Sequence, residues 1–340
     1  MQHPTATPVG LAPDVPSLLA ACGITGVEAA FASDGYSGAR VTAIEHEGTR
    51  YLLKRVRYAD DWIMQVVGDR ACREAHFAVS PFVARLPAHV RVPTLGAARD
   101  GDGFALLMQD ITPLLLPDDG LLAQSTVDTV LRALAEMHAA FWDDDSDAGF
   151  DLSLTPQRVR MTGPAVGDRL LTRGIDIGFS RGWQRFDALA PPRVASVIRR
   201  LLGDPAPILD LLSKLPSTLL HGDAKFGNMG VDGDELWLFD WAIVLRAPVA
   251  FELAWFLAVN SSRLPCSLDE TIERYRAHLE RALGPVRYAA ADWPAQQAAT
   301  MLVGLMLYGW GKALDADAGR PQELSWWCAG ADAAIRRFGW

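Results

Sequence analysis

A short polar loop at residues 221–228 holds residue types that could bind a cation. It reads H-G-D-A-K-F-G-N and interrupts an apolar stretch, so that Asp223, Lys225 and Asn228 lie within a few positions of one another. A further carboxylate, Asp240, follows the apolar run 236–239. Mg²⁺ prefers a few hard oxygen ligands from carboxylates and amides, completed by water or phosphate. Asp223, Asn228 and Asp240, two acids and one amide, are therefore candidate ligands for Mg²⁺.

The elements around this loop explain why these groups should meet. An Asp232-Gly233 turn separates the loop from the run 236–239, which is predicted to be a strand. The resulting hairpin would return Asp240 to the side of Asn228. Each half of the pattern alone is weak, because H-G-D occurs by chance and an aspartate after a strand is often only a turn cap. The two halves together, in this order, are much rarer and favour a functional site.

The N-terminal region is predicted to be mainly β-structure. Two strands, 41–44 and 51–56, flank a turn near Gly48 and form a hairpin. Asp61 to Phe82 is predicted to be helical, and two further strands are expected at 90–93 and 104–108. The pattern indicates a five-stranded sheet with one helix.

The remainder of the chain is predicted to be helical. From Ser125, a plausible N-cap, apolar residues recur every three or four positions. Further helices are predicted near 191–214, 249–260, 267–283, 295–314 and 322–338. The composition changes near residue 110, and a connector follows it. The predicted domains are therefore a β-rich N-terminal lobe at 1–110 and a larger helical lobe at 111–340.

The order of these segments resembles that of the aminoglycoside phosphotransferase and choline kinase group, small-molecule kinases with a protein-kinase-like fold. A glycine-bearing loop, a strand lysine, a helix glutamate, a hinge, the H-G-D loop and the D-W pair follow one another as in that family. The segments 134–142 and 248–254 are also similar to it, although Glu252 stands where the family more often has aspartate. The resemblance implies a bilobal α+β fold. It also implies that the lobe at 1–110 binds the nucleotide and that the lobe at 111–340 carries the catalytic loop, the metal site and the acceptor site.

The resemblance also implies catalytic roles for the loop residues. Asp223 would accept the proton of the acceptor hydroxyl during phosphoryl transfer. Lys225 has the placement of the protein-kinase lysine that meets the γ-phosphate, although this position varies in the family. Asn228 and Asp240 would hold Mg²⁺ against the nucleotide phosphates.

The nucleotide site implied by the resemblance lies in the N-terminal region. Lys54 would contact the α- and β-phosphates, and Glu74 would orient it through an ion pair. The loop from Ser33 to Gly38 would cover the phosphates with backbone N–H groups. The hinge at 108–110 would present backbone groups to the purine. The residues expected to contact the nucleotide are Ser37 and Gly38 of the loop, Met108 and Gln109 of the hinge, and Ile111 just after it. Whether ATP or GTP is the donor stays open.

Composition excludes several other classes of protein. The formal net charge is −9, from 32 basic and 41 acidic residues, which argues against a nucleic-acid partner. No apolar run has the roughly 20 residues needed to span a bilayer, and no secretory signal is visible at the N-terminus. The four cysteines form no C-x-x-C pair, which fits a reducing, cytoplasmic compartment.

These observations predict an NTP- and Mg²⁺-dependent O-phosphotransferase acting on a hydroxyl of a small molecule. An antibiotic is the leading acceptor, with resistance or self-protection as the consequence. The acidic charge favours an aminoglycoside, and the tryptophan-rich C-terminal region favours a nucleoside antibiotic such as capuramycin. The alternatives are a metabolic kinase for choline, homoserine or a sugar, and a pseudokinase-like binding module without turnover. A protein kinase is disfavoured because Trp241-Ala242, rather than Phe-Gly, follows Asp240.

Overall fold

The computed structural model describes residues 10–32 and 37–340. The chain divides into two compact units. The first contains the described residues of Met1–Leu116, together with Asp145–Leu152 and Phe226–Val244. The second contains Pro117–Asp144, Ser153–Lys225 and Leu245–Trp340.

The first unit is built on two sheets and short helices. Its described helices and strands are α1 (Val15–Ala21), β1 (Glu28–Ala30), β2 (Arg40–His46), β3 (Thr49–Val56), α2 (Trp62–Val67), α3 (Arg73–Ala78), β4 (Val90–Arg91), β5 (Thr94–Asp100), β6 (Gly103–Gln109), β8 (Met229–Asp232) and β9 (Glu235–Leu238). An antiparallel sheet has the order β1-β2-β3-β6-β5, and a smaller sheet has the order β4-β9-β8. In the smaller sheet β4 and β9 are parallel and β8 and β9 antiparallel.

Apolar side chains cover both faces of the larger sheet. Because side chains alternate along a strand, Leu53 and Leu107 pack on one face with α1, and Val56 and Leu106 pack on the other with residues of α2 and α3. Lys54 pairs with Leu106 in the β3–β6 register, so it shares the face that carries α3.

The second unit is mostly helical. It contains a two-stranded antiparallel sheet, β7 (Thr218–Leu220) with β10 (Leu245–Ala247). Its described helices are α4 (Gln124–Ala140), α5 (Thr155–Arg158), α6 (Pro164–Leu171), α7 (Phe179–Leu189), α8 (Pro192–Gly203), α9 (Ala206–Ser213), α10 (Val249–Asn260), α11 (Leu268–Ala289), α12 (Trp293–Asp317) and α13 (Gln322–Phe338). Helix α10 is buried along almost its whole length, so it forms the centre of this unit.

Three features of the first unit differ from the sequence prediction. The helix expected over Asp61–Phe82 is interrupted, because Gly68 ends α2 in a left-handed conformation that favours glycine. The strand expected at 90–93 is short and pairs with β9 instead of joining the larger sheet. The larger sheet instead includes β1 and β5, which were not predicted.

The second unit agrees better with its prediction. Helix α10 has the limits expected from sequence, and α13 matches to the residue. The first helix begins at Gln124, and its N-cap is Ala123 rather than Ser125. Helices α5, α6 and α7 were not predicted. Among the described helices, none combines the length and apolar character that crossing a bilayer requires.

Candidate active site

Lys54, Glu74 and Asp240 form a charged cluster in the first unit. The Lys54 ammonium Nζ donates to both Glu74 oxygens, at 2.8 and 3.0 Å, and to Asp240 Oδ1 at 2.7 Å. Strand β3 presents Lys54 toward α3, which carries Glu74 in its first turn. Glu74 is buried, whereas the Asp240 side chain is 36% exposed. The cluster therefore has one exposed carboxylate and a surplus of one negative charge.

Electrostatics inside this cluster follow from two carboxylates sharing one ammonium. Burial acts to lower the pKa of Lys54, but attraction by Asp240 and Glu74 outweighs it and raises the pKa well above the ordinary value. Burial also raises the pKa of Glu74, and the nearby Asp240 carboxylate adds to that effect, while Lys54 opposes it. A further cation would relieve the surplus charge.

Aromatic packing and the backbone hold Asp240 at its position. The Trp241 ring stacks on Phe77 of α3, with ring centroids 4.1 Å apart and an interplanar angle of 20°. Asp240 itself has a φ of 64°. Non-glycine residues rarely adopt this left-handed conformation, and aspartate is among the few that tolerate it. The local strain and the stacking together fix the carboxylate beside Lys54 and α3.

The predicted metal ligands lie at the base of one hairpin. Met229 pairs with Leu238 in the β8–β9 register, and the Phe239 N–H donates to the Asn228 carbonyl at 3.3 Å. Asn228 precedes one strand of this hairpin and Asp240 follows the other, as the sequence predicted. An amide oxygen and a carboxylate at paired ends of a hairpin, beside a surplus negative charge, fit Mg²⁺.

The H-G-D loop lies in the second unit, directly after β7. Gly222 has a φ of 83°, which glycine adopts without steric cost. Asp223 is 8% exposed, and its Oδ1 accepts a hydrogen bond from Trp255 Nε1 at 2.7 Å. Its Oδ2 lies 3.0 Å from Lys225 Nζ. The loop thus brings together Asp223 and Lys225, the two residues predicted to be catalytic.

Glu252 on α10 fixes the backbone of the same loop. Its carboxylate accepts the N–H groups of His221, at 2.6 Å, and Gly222, at 2.8 Å. Burial acts to raise the pKa of Glu252, but His138 and the Gly222 N–H oppose this and hold the pKa below its ordinary value. His138 is itself buried and bonded to Tyr275 Oη at 2.7 Å. The sequence marked Glu252 only as a departure from a family pattern.

Two further neighbours of Asp223 were missed by sequence reasoning. Trp255 lies 32 residues from Asp223 in the chain, so no local motif indicates their hydrogen bond. Arg158 is fully buried, and its guanidinium carbon lies 4.3 Å from the centroid of the Trp255 ring. The sequence offers a weak signal for Trp255 alone, which lies three residues after Glu252 in the same predicted helix. No pattern marks Arg158, because Gln157 and Arg160 beside it are exposed.

The predicted phosphate-covering loop is described only in part. Ser33–Tyr36 lie outside the described residues. The Ser37 carbonyl accepts the Trp62 N–H at 3.2 Å. Gly38 has a φ of 107°, and a Cβ there would lie 2.3 Å from the Asp60 carbonyl oxygen. Only glycine fits this position, and the structure therefore explains Gly38 by packing against the start of α2.

The predicted hinge is a well-bonded end of β6. The Gln109 N–H donates to the Pro93 carbonyl at 2.9 Å, and the Asp110 N–H donates to the Arg50 carbonyl at 3.3 Å. Met108 and Ile111 are both buried. These bonds make the segment rigid, and they engage two of the N–H groups that a purine could have used.

The architecture of these groups defines a class of protein. An antiparallel sheet precedes a mostly helical region, and a lysine of the third strand pairs with a glutamate of a following helix. This is the protein-kinase-like α+β fold that the sequence predicted.

The comparison with known families then names the family. The phosphotransferase enzyme family (APH) matches residues 28–290. The chain belongs to this family, which confirms the resemblance inferred from its motifs. None of the curated proteins compared with the chain matches it.

Solved structures provide relatives at low sequence identity. An aminoglycoside-3'-phosphotransferase of type VIII is 19% identical, with a TM-score of 0.50, and the match covers 84% of this chain and 95% of that one. Choline kinase LicA from Streptococcus pneumoniae is 11% identical, with a TM-score of 0.48 and coverage of 89% and 93%. A thermostable mutant of APH(4)-Ia, in a ternary complex with ADP and hygromycin B, is 13% identical, with a TM-score of 0.47 and coverage of 94% and 96%.

Proposed function

We propose that this chain transfers the γ-phosphoryl group of ATP, bound with Mg²⁺, to a hydroxyl of a small molecule. The observation that carries the proposal is the Lys54 ammonium held between Glu74 and Asp240, at 2.8 and 2.7 Å. A fixed cation beside an exposed carboxylate suits a metal-bound polyphosphate, because the ammonium meets phosphate oxygens and the carboxylate meets the metal.

The proposed reaction needs few protein groups. A bond forms between the acceptor oxygen and the γ-phosphorus, the bond to the bridging oxygen breaks, and the nucleoside diphosphate leaves with that electron pair. Asp223 accepts the proton of the acceptor hydroxyl, and Lys225 stabilises charge on the γ-phosphate. Because the transition state is loose, positioning and charge neutralisation suffice.

The proposed metal and nucleotide sites use the remaining predicted residues. Asn228 and Asp240 hold Mg²⁺, which neutralises charge on the phosphates. In this proposal the lobe at 1–110 binds the nucleotide through Lys54, the Ser37-Gly38 backbone and the hinge, and the lobe at 111–340 binds the acceptor.

We propose an antibiotic as the acceptor, and an aminoglycoside first. The net charge of −9 supports this, because aminoglycosides are polycations. A nucleoside antibiotic is a second candidate, favoured by an aromatic cluster in the second unit. Tyr308 lies edge-on to both Trp255 and Trp310, with centroids 5.8 and 5.0 Å apart. Either acceptor would make the protein a resistance or self-protection enzyme.

The test is a two-stage measurement on the full chain. Thermal stabilisation is measured with Mg²⁺ and ATP or GTP, and phosphate transfer is then followed by mass spectrometry with aminoglycosides, nucleoside antibiotics, choline, homoserine and sugars. A mass gain of one phosphate on an antibiotic class supports the proposal. Transfer to choline, homoserine or a sugar alone would replace the antibiotic by a metabolic acceptor. Stabilisation by nucleotide without any transfer would point to a binding module.

A further inference from the structure

The two oxygens of Asp223 face different kinds of donor. Oδ1 accepts the neutral indole N–H of Trp255 at 2.7 Å, and Oδ2 lies 3.0 Å from the charged Lys225 ammonium. The Lys225 side chain is 43% exposed, whereas the Trp255 residue is buried. The contact at Oδ1 is therefore built into the interior, and the contact at Oδ2 is at the surface.

Trp255 belongs to a helix that already holds the loop. On α10, Glu252 accepts the N–H groups of His221 and Gly222, and the Asn260 side chain donates to the Ala224 carbonyl at 3.0 Å. These three hydrogen bonds, made by two side chains of α10, fix the backbone on either side of Asp223. The Trp255 indole adds a contact from the same helix to the Asp223 carboxylate itself, and this contact restricts the rotation of the carboxylate.

Arg158 fixes the indole in turn. Its guanidinium lies 4.3 Å from the Trp255 ring centroid, and its Nη2 donates to the Gly222 carbonyl at 3.3 Å. Among the described residues, its Nε and Nη1 atoms have no hydrogen-bond partner. Burial lowers the pKa of Arg158 to about 10, and attraction by Asp223 and Glu252 opposes that shift. Burying a cation with so few hydrogen bonds costs free energy of folding. The contact with the indole face offsets part of this cost and holds the two side chains together.

We propose that Trp255 is a positioning residue for phosphoryl transfer, with Arg158 fixing its ring. The indole N–H occupies Oδ1 of Asp223 and leaves Oδ2 as the oxygen that meets the acceptor hydroxyl when Lys225 turns to the γ-phosphate. This inference rests on the proposed function. Trp255 lies on α10, outside the sequence motif of the H-G-D loop.

The first test replaces the indole and keeps an aromatic ring. Trp255→Phe removes the N–H and leaves a ring under Arg158. The value of kcat should fall roughly tenfold, as expected for one hydrogen bond to a charged group, while KM for Mg²⁺–nucleotide stays unchanged. The matched control is Trp326→Phe, because Trp326 Nε1 also donates to a carboxylate, Asp269, at 3.1 and 3.2 Å. The control should keep wild-type kcat, and a wild-type kcat in Trp255→Phe would overturn the proposal.

The second test does not depend on turnover. The chain has eleven tryptophans, and the indole N–H signal of Trp255 in a nitrogen-15 spectrum is assigned by its loss in Trp255→Phe. Asp223→Ala should shift that signal, and Asp269→Ala should shift the Trp326 signal instead. If the Trp255 signal does not respond to Asp223→Ala, the proposal fails even when phosphate transfer is observed. If the signal responds but the wild type phosphorylates no acceptor, the proposed function has failed and the hydrogen bond stands.

Discussion

Two buried glutamates show how differently the two units treat a negative charge. Glu74 shares one ammonium, that of Lys54, with Asp240, and burial together with Asp240 raises its pKa. Glu252 accepts two backbone N–H groups and faces His138, which hold its pKa below the ordinary value despite burial. The Glu74 carboxylate lies in a cluster with surplus negative charge. The Glu252 carboxylate is bonded to backbone N–H groups of the loop and faces His138 in the interior.

Under the proposed function, this difference separates a carboxylate that helps to bind ligands from a carboxylate that stabilises the fold. The Lys54 cluster is suited to receive a metal and phosphates, because a further cation relieves its surplus charge. The Glu252 carboxylate instead holds the loop that carries Asp223. Substitutions in the two regions should therefore affect catalysis and stability in different proportions.

The largest expected effect tests the loop itself. Asp223→Asn removes the proposed proton acceptor and should lower kcat roughly a thousandfold. Stabilisation by Mg²⁺–nucleotide should be retained, because Asp223 is not among the proposed nucleotide contacts. Steady-state kinetics and thermal melts measure both quantities. Full residual activity would remove Asp223 from the reaction.

The next effect tests the charged cluster. Lys54→Met removes the cation between Glu74 and Asp240 and should lower kcat/KM for the nucleotide roughly a hundredfold. Arg55→Met is the matched control, since Arg55 is the next residue of β3 and pairs instead with Glu28 and Asp100, at 2.6 and 3.0 Å. Equal losses in the two variants would show that strand stability, rather than the cluster, matters.

A smaller effect distinguishes the two glutamates by stability. Glu252→Gln replaces one accepting oxygen by an NH₂ group, which cannot accept a hydrogen bond from the loop. It should lower the free energy of unfolding by about 2 kcal/mol. Glu74→Gln removes the surplus charge and leaves the Lys54 ammonium paired with Asp240, so it should lower the free energy of unfolding by less, about 1 kcal/mol, while lowering activity. Urea unfolding measures both. A larger loss for Glu74→Gln than for Glu252→Gln would reverse the comparison.

The smallest effect concerns pH. The lowered pKa of Glu252 means that its stabilisation is present above the ordinary value of 4.5 and is lost as pH falls through its folded-state pKa. The raised pKa of Glu74 has the opposite sign, because protonation as pH falls toward 4.5 relieves a penalty. In unfolding curves between neutral and acidic pH, Glu252→Gln should flatten the acid loss of stability, and Glu74→Gln should steepen it. Parallel curves for both variants would contradict this assignment.

Much of the fold was predictable because its signals are local. The β2–β3 hairpin follows from two apolar runs around Gly48, and the limits of α10 follow from a long apolar segment after Pro248. The break at Gly68 was missed because the apolar pattern continues across it. The β4–β9 pairing joins strands more than a hundred residues apart, and no pattern within either strand specifies its partner.

The candidate site also contains residues that the sequence predicted and contacts that it did not predict. The types and order of Lys54, Glu74, Asp223 and Asp240 suggested their roles, because the same order of segments is found in the family that the chain resembles. The Trp255 and Arg158 contacts could not be predicted, because Trp255 lies on α10 and Arg158 on α5, and tertiary packing brings both residues to the loop. Their residue types also look like ordinary core or surface residues in sequence.

The attachment of the H-G-D loop to α10 has a consequence for hydrogen exchange. Loop amides usually exchange quickly with solvent, because they open without disturbing the core. The His221 and Gly222 N–H groups are bonded to Glu252, a buried residue of a central helix, so we expect their exchange to be coupled to the opening of α10. Deuterium uptake in this loop should therefore follow the slow opening of the helical interior, and a compound that loosens α10 would register at the loop without touching it.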